Sequence, residues 1–95
     1  MANQEYDLIY RSSDQVERIA PKNGKYYQLD ELQEIVGGNI EIISGRDGKM
    51  IVVDEEGKLK RKDLNERATQ WYHVNVYRGD YIVGDALLCN KDRIE

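Results

Sequence analysis

The stretch Ile40-Glu41-Ile42-Ile43-Ser44-Gly45-Arg46-Asp47-Gly48-Lys49-Met50-Ile51-Val52-Val53 decides the fold. Two runs rich in β-branched residues flank a polar segment whose Asp-Gly step favours a tight hairpin turn. The reading is a pair of central strands. On the C-terminal side, Asp54-Glu55-Glu56-Gly57 is a turn, and Lys58-Leu59-Lys60 predicts a short edge strand whose lysines deter edge-to-edge aggregation. On the N-terminal side, Leu29, Leu32, Ile35 and Val36 fall at i, i+3, i+6 and i+7, the stripe of a short amphipathic helix. Gly37-Gly38 ends that helix, because glycine takes the left-handed conformation without steric cost. Its start has two readings: Gln28 with Glu31 three residues on, which lets Tyr27 staple onto Leu32, or Asp30, the better capping residue by chemistry.

Further out, Tyr6 to Tyr10 and Val16 to Ile19 are β-rich and separated by the polar Arg11-Ser12-Ser13-Asp14-Gln15, which predicts a hairpin. Pro21 cannot donate to a sheet ladder, so the second strand should finish near Ile19 or Ala20. Towards the C-terminus, Asp63 and Glu66 have capping-box spacing, and Leu64, Ala68, Trp71 and Tyr72 predict a second helix of about two turns. Val74 to Tyr77 alternates like a strand and reads equally well as a loop before Gly79. Tyr81 to Cys89 reads as a final strand, with Gly84-Asp85 marking a bulge, bend or close backbone approach at its middle. The sum is one α+β domain over residues 1–95, with five to six mostly antiparallel strands and two short helices.

Composition bounds the function. Ninety-five residues hold one core. A chain that is 40% apolar and 34% charged is of the globular rather than the disordered type. The longest apolar runs, Met50 to Val53 and Ala86 to Cys89, are far short of the roughly 20 residues of a membrane span. Met1-Ala2-Asn3-Gln4-Glu5 carries no positive charge and no apolar core follows, so no signal peptide is expected and the cytoplasm is the expected location. One cysteine, Cys89, allows no intramolecular disulfide and no cysteine zinc cluster. Residues 1–48 hold five basic and nine acidic side chains and residues 49–95 nine of each, so the net charge of −4 belongs to the first half. Such a balance disfavours nucleic-acid binding. The one basic run, Lys58, Lys60, Arg61 and Lys62, follows Asp54, Glu55 and Glu56, which offset its field.

Four groups of residues are candidates for chemistry. Asn65, Glu66 and Arg67 stand at a predicted helix start, where backbone N–H groups receive anions. With Asp85 they form a candidate small-molecule cleft of Asn65, Arg67 and Asp85. Helix capping by Asp63 and Glu66 explains the same residues without a ligand. Asp54, Asp80 and Asp85 could serve a divalent cation or acid–base work only if they converged, and Asp54-Glu55-Glu56-Gly57 lacks the alternating ligands of a calcium loop. His73 and Cys89 are the available pair for nucleophilic catalysis, with nothing beside either to signal activation. Neither a metal, a cofactor nor a catalytic residue is expected. Last, seven tyrosines and Trp71 with no phenylalanine suit a recognition surface, since tyrosine brings large contact area at low entropy cost. Tyr26, Tyr27, Tyr72 and Tyr81 are the expected interface residues, beside the acidic helix at 29–36, for a protein partner or self-association.

Ile51 to Leu59, Leu64-Asn65-Glu66-Arg67-Ala68-Thr69 and Ile82 to Leu88, with Ile9 to Ser12 and Leu32 to Gly38, resemble a family of small uncharacterised bacterial domains often carried on plasmids, phages and conjugative elements. The resemblance covers most of the chain. It implies a cytoplasmic protein of mobile DNA or of a gut-type bacterium, an accessory or counter-defence factor, and it brings no established activity. Departures lie at Arg61-Lys62 and in the insertion-like residues 73–78. Together these readings predict a small non-enzymatic binding or regulatory protein acting through protein contacts, with a small-molecule or nucleotide binder as the alternative.

Overall fold

The computed structural model describes residues 6–94; Met1 to Glu5, read above for a leader, and Glu95 lie outside it. Five antiparallel strands form one sheet: β1 (Asp7–Tyr10), β2 (Val16–Ile19), β3 (Ile40–Ser44), β4 (Lys49–Asp54) and β5 (Ala86–Asn90). Their order is β2-β1-β5-β4-β3. Two hairpins therefore stand on either side of the C-terminal strand, which pairs Leu88 with Leu8 on one flank and with Ile51 on the other. The fold is α+β, as expected.

Helices α1 (Leu29–Val36) and α2 (Glu66–Asn75) lie on opposite faces of the sheet. Successive side chains of a strand point to opposite faces. On β4, Met50 and Val52 accordingly join Leu32, Val36, Ile9, Tyr27, Leu87 and Cys89 under α1, while Ile51 and Val53 join Ala68, Ile82 and Ala86 under α2. Burial on both faces is why these strands read as unbroken apolar runs rather than as alternation.

At the start of α1 the Gln28 reading holds. The Glu31 carboxylate accepts from the Gln28 N–H at 3.0 Å with one oxygen and from the Lys22 N–H at 3.0 Å with the other. Leu29, expected on the buried stripe, is 57% exposed at the helix's first residue, and Tyr27 fills the core instead. Gly37 stops the helix at φ 83°, its N–H donating to the Gln33 carbonyl.

Three expectations need correction. Lys58 to Lys60 is a series of turns, because these lysines reach back to carboxylates instead of lying along an edge. Asn65, not Asp63, caps α2, its side-chain oxygen accepting from the Ala68 N–H at 3.1 Å. That leaves Leu64 outside the helix, bridged to Val83. The last strand begins at Ala86, not Tyr81, because Gly84 at φ 76° turns the chain before it. Val74 and Asn75 belong to α2, so residues 74–77 form no strand.

Candidate functional site

Of the basic run, Lys58, Lys60 and Lys62 are held by carboxylates, while Arg61 is exposed with no ion-pair partner among the described residues. Asp54, 5% exposed at the end of β4, is 2.9 Å from the Lys60 ammonium and 2.7 Å from that of Lys62, and accepts from the Glu56 N–H at 2.9 Å. Burial works against its ionisation, but the two lysines and the amide overcome it and hold the carboxyl at about 2. The same lysines donate to the Gly37 and Val36 carbonyls at 3.2 and 2.7 Å. Since α1 has no basic residue in its last turn, they supply the cations its C-terminal dipole favours. A Cβ on Gly38 would lie 2.5 Å from the Lys60 ammonium and 2.9 Å from both Asp54 oxygens, so the second glycine is needed for close approach.

A second buried carboxylate, Asp7, accepts from the Tyr27 hydroxyl at 2.7 Å and pairs with Arg93 at 3.2 Å. Tyr27 is 1% exposed, which corrects its placement at an interface: no partner can touch it. Burial and the Asp7 carboxylate push its hydroxyl well above the usual tyrosine range.

Asn65 is fully buried, donating to the Tyr10 and Gly84 carbonyls at 2.7 and 2.8 Å while it caps α2. Asp85 accepts from Arg11 at 2.7 Å and from the Ser12 N–H at 3.0 Å. Both residues thus bind the end of β1 and the turn that follows it. Arg67 turns away to Asp14, 3.2 Å from its carboxylate. Asp85 lines a cavity with Gly37 and Lys62, and Arg67 another with Trp71 and Val74. The structure does not bring these three residues to one cleft.

Asp54, Asp80 and Asp85 each have a separate cationic partner, and no group of three metal-ligating side chains occurs among the described residues. Cys89 lies in the α1-side core, its thiol pushed up to about 12 by burial. His73, on the α2 side, has Nε2 2.8 Å from the Asp80 carbonyl.

What remains is a groove of about 530 Å³ on the α2 side. Glu41, Ile43 and Val53 of the sheet line it, with Tyr72 and Ile82 under α2. Leu59, 83% exposed, and Tyr81, 46% exposed, belong to its lining. Lys58 sits over the Tyr81 ring at 4.3 Å and is paired with Asp80. That pairing raises the Lys58 pKa and lowers that of Asp80, so the pair stays charged but neutral as a unit. Glu41 and Glu55, both exposed, have no ion-pair partner among the described residues. Of the expected interface tyrosines, Tyr72 and Tyr81 meet here, while partly buried Tyr26 does not line the groove. The sequence signal for the rest was Leu59, an apolar residue alone in a charged run.

These features define a small two-sided α+β domain with an open groove on its α2 side and no assembled catalytic group among the described residues. The chain belongs to the DUF3846 family, a domain of unknown function, which it matches over residues 8–95. No curated protein and no solved structure matches it. No helix among the described residues is long and apolar enough to cross a membrane.

Proposed function

We propose that this is a small cytoplasmic, non-enzymatic binding or regulatory protein that engages a protein partner through the groove on the α2 side. The observation that carries the reading is the placement of Leu59 and Tyr81, two strongly exposed apolar side chains, on one groove beside an edge strand. Exposed apolar groups gathered around a concavity favour a contact surface, and tyrosine suits one in particular. The scatter of Asn65, Arg67 and Asp85 favours this reading over a small-molecule cleft. Neutralisation of Lys58, Lys60 and Lys62 by carboxylates disfavours nucleic acid. The resemblance to domains of plasmids and phages supports an accessory or counter-defence role for such a contact.

Native mass spectrometry of the protein purified gently from its host tests this reading. The expected result is a discrete second protein mass that disappears in Leu59→Glu and Tyr81→Ala variants with unchanged circular dichroism. A bare chain, or a partner held equally by both variants, would refute it.

A further inference from the structure

We infer that the partner presents an extended basic segment, which adds to β3 as a sixth strand and places its cationic side chains over the groove. The inference rests on the binding reading above and names the partner's chemistry. Backbone pairing of β3 with β4 is set at both ends: the Glu55 N–H donates to the Asn39 carbonyl at 2.8 Å and the Gly45 N–H to the Lys49 carbonyl at 2.9 Å. With Ile40 opposite Asp54 and Ser44 opposite Met50, the residues that exchange bonds with β4 are Glu41 and Ile43. Ile40, Ile42 and Ser44 therefore turn their N–H and C=O groups outward, and the sheet order ends at β3. Such a row is a template for an added strand.

The opposite edge is guarded. β2 has four residues, all but Ile19 exposed, and Pro21 follows directly after Ala20. Glu17 is held by Arg11 at 2.9 Å, and Arg18 stacks over the Tyr6 ring at 4.6 Å. On β3, by contrast, Ile42 is 43% exposed on the α1 side, and Glu41 stands free on the groove side.

Charge selects the occupant. The groove's unpaired side chains are Glu41 and Glu55, in a chain of net charge −4, so a lysine or arginine opposite Glu41 meets an attractive field. A second copy, laid antiparallel with Ile42 opposite its counterpart, would set the two Glu41 side chains diagonally on one face, roughly 7–8 Å apart, where they repel. The favoured segment alternates apolar side chains over Ile42 with basic ones over Glu41.

Fluorescence anisotropy on the full chain, with a labelled peptide of about seven alternating lysines and valines, tests the inference. Binding is expected, weakening as salt rises, with amide NMR shifts concentrated at Ile40, Ile42 and Ser44. Glu41→Lys, an exposed change, should weaken it up to about fivefold. N-methylation of alternate peptide amides should abolish it, because strand pairing is blocked without altering the protein. Equal binding by a glutamate–valine peptide, full binding by the N-methylated one, or no binding at all overturns the inference. If the peptides fail while the native partner is still lost in Leu59→Glu, only the partner's chemistry is wrong. A native partner indifferent to Leu59 and Tyr81 would sink the groove reading itself.

Discussion

The buried carboxylates under α1 and the exposed ones around the groove on the α2 side play opposite parts. Under α1, the buried carboxylates Asp54 and Asp7 are each answered by side chains of other elements: Asp54 by Lys60 and Lys62, Asp7 by Tyr27 and Arg93. Breaking such a pair strands a charge in a poorly hydrated place, so those residues are committed to holding elements together. Around the groove on the α2 side, Glu41 and Glu55 are exposed and unpaired while Leu59 and Tyr81 project apolar surface. These groups do little for the fold of the isolated chain. Buried carboxylates that are answered in this way serve folding, and the unanswered groups gathered around the groove are available for contact.

The contrast breaks most visibly at Asp54. Asp54→Asn should cost about 2–4 kcal/mol in urea denaturation, because the two ammonium groups that also hold the end of α1 lose their anion. The partial exposure of Lys60 and Lys62 keeps the loss from being larger. The pH dependence follows from the depressed folded-state pKa, about 2 against an ordinary 3.8. The carboxylate's contribution is fully present above about pH 4 and disappears as pH falls through about 2. The wild-type chain should therefore lose stability across that window, while Asp54→Asn should lack this component.

Proline substitution sharpens the contrast at β3. Ile43→Pro removes an N–H directed at β4 and should cost about 2–3 kcal/mol, from the lost bond and the buried carbonyl left without a donor. Ile42→Pro removes an outward N–H, which an edge strand tolerates, and should cost less than about 1 kcal/mol. Equal losses in chemical denaturation would mean that the free edge has been assigned to the wrong residues. Tyr27→Phe comes next: without its hydroxyl, Asp7 keeps Arg93 alone, and melting should show a loss of about 1–2 kcal/mol.

Much of the fold was legible, and the reasons are local. Met50 to Val53 reads as a strand because both of its faces are buried, and α1 carries its own start and stop signals in Gln28, Glu31 and Gly37. Strand order was not legible, since nothing in Ala86 to Cys89 says that it enters between β1 and β4. Lys58 to Lys60 misled because lysines flanking a leucine look like a guarded edge, whereas their charges are bound to Asp80 and Asp54. Tyr81 to Val83 misled because β-formers continue the run that Gly84 interrupts. Of the candidate site, tyrosine content pointed to Tyr72 and Tyr81. The same signal swept in Tyr27, whose hydroxyl partner Asp7 lies twenty residues away in the chain.

The smallest expected effect on stability is the most informative about function. Leu59 is 83% exposed, so replacing it with serine removes almost no buried apolar area, and thermal melting should shift by no more than the equivalent of about 0.5 kcal/mol. The same substitution should cost affinity out of proportion to its stability effect, because a contact that excludes water from the groove would bury most of that side chain. If Leu59→Ser instead destabilises the chain by more than about 1 kcal/mol, Leu59 is packed in solution and the groove is narrower than its exposure implies. In that case Tyr81, with Lys58 over its ring, would be the apolar anchor that remains, and Tyr81→Ala should account for the whole loss of binding.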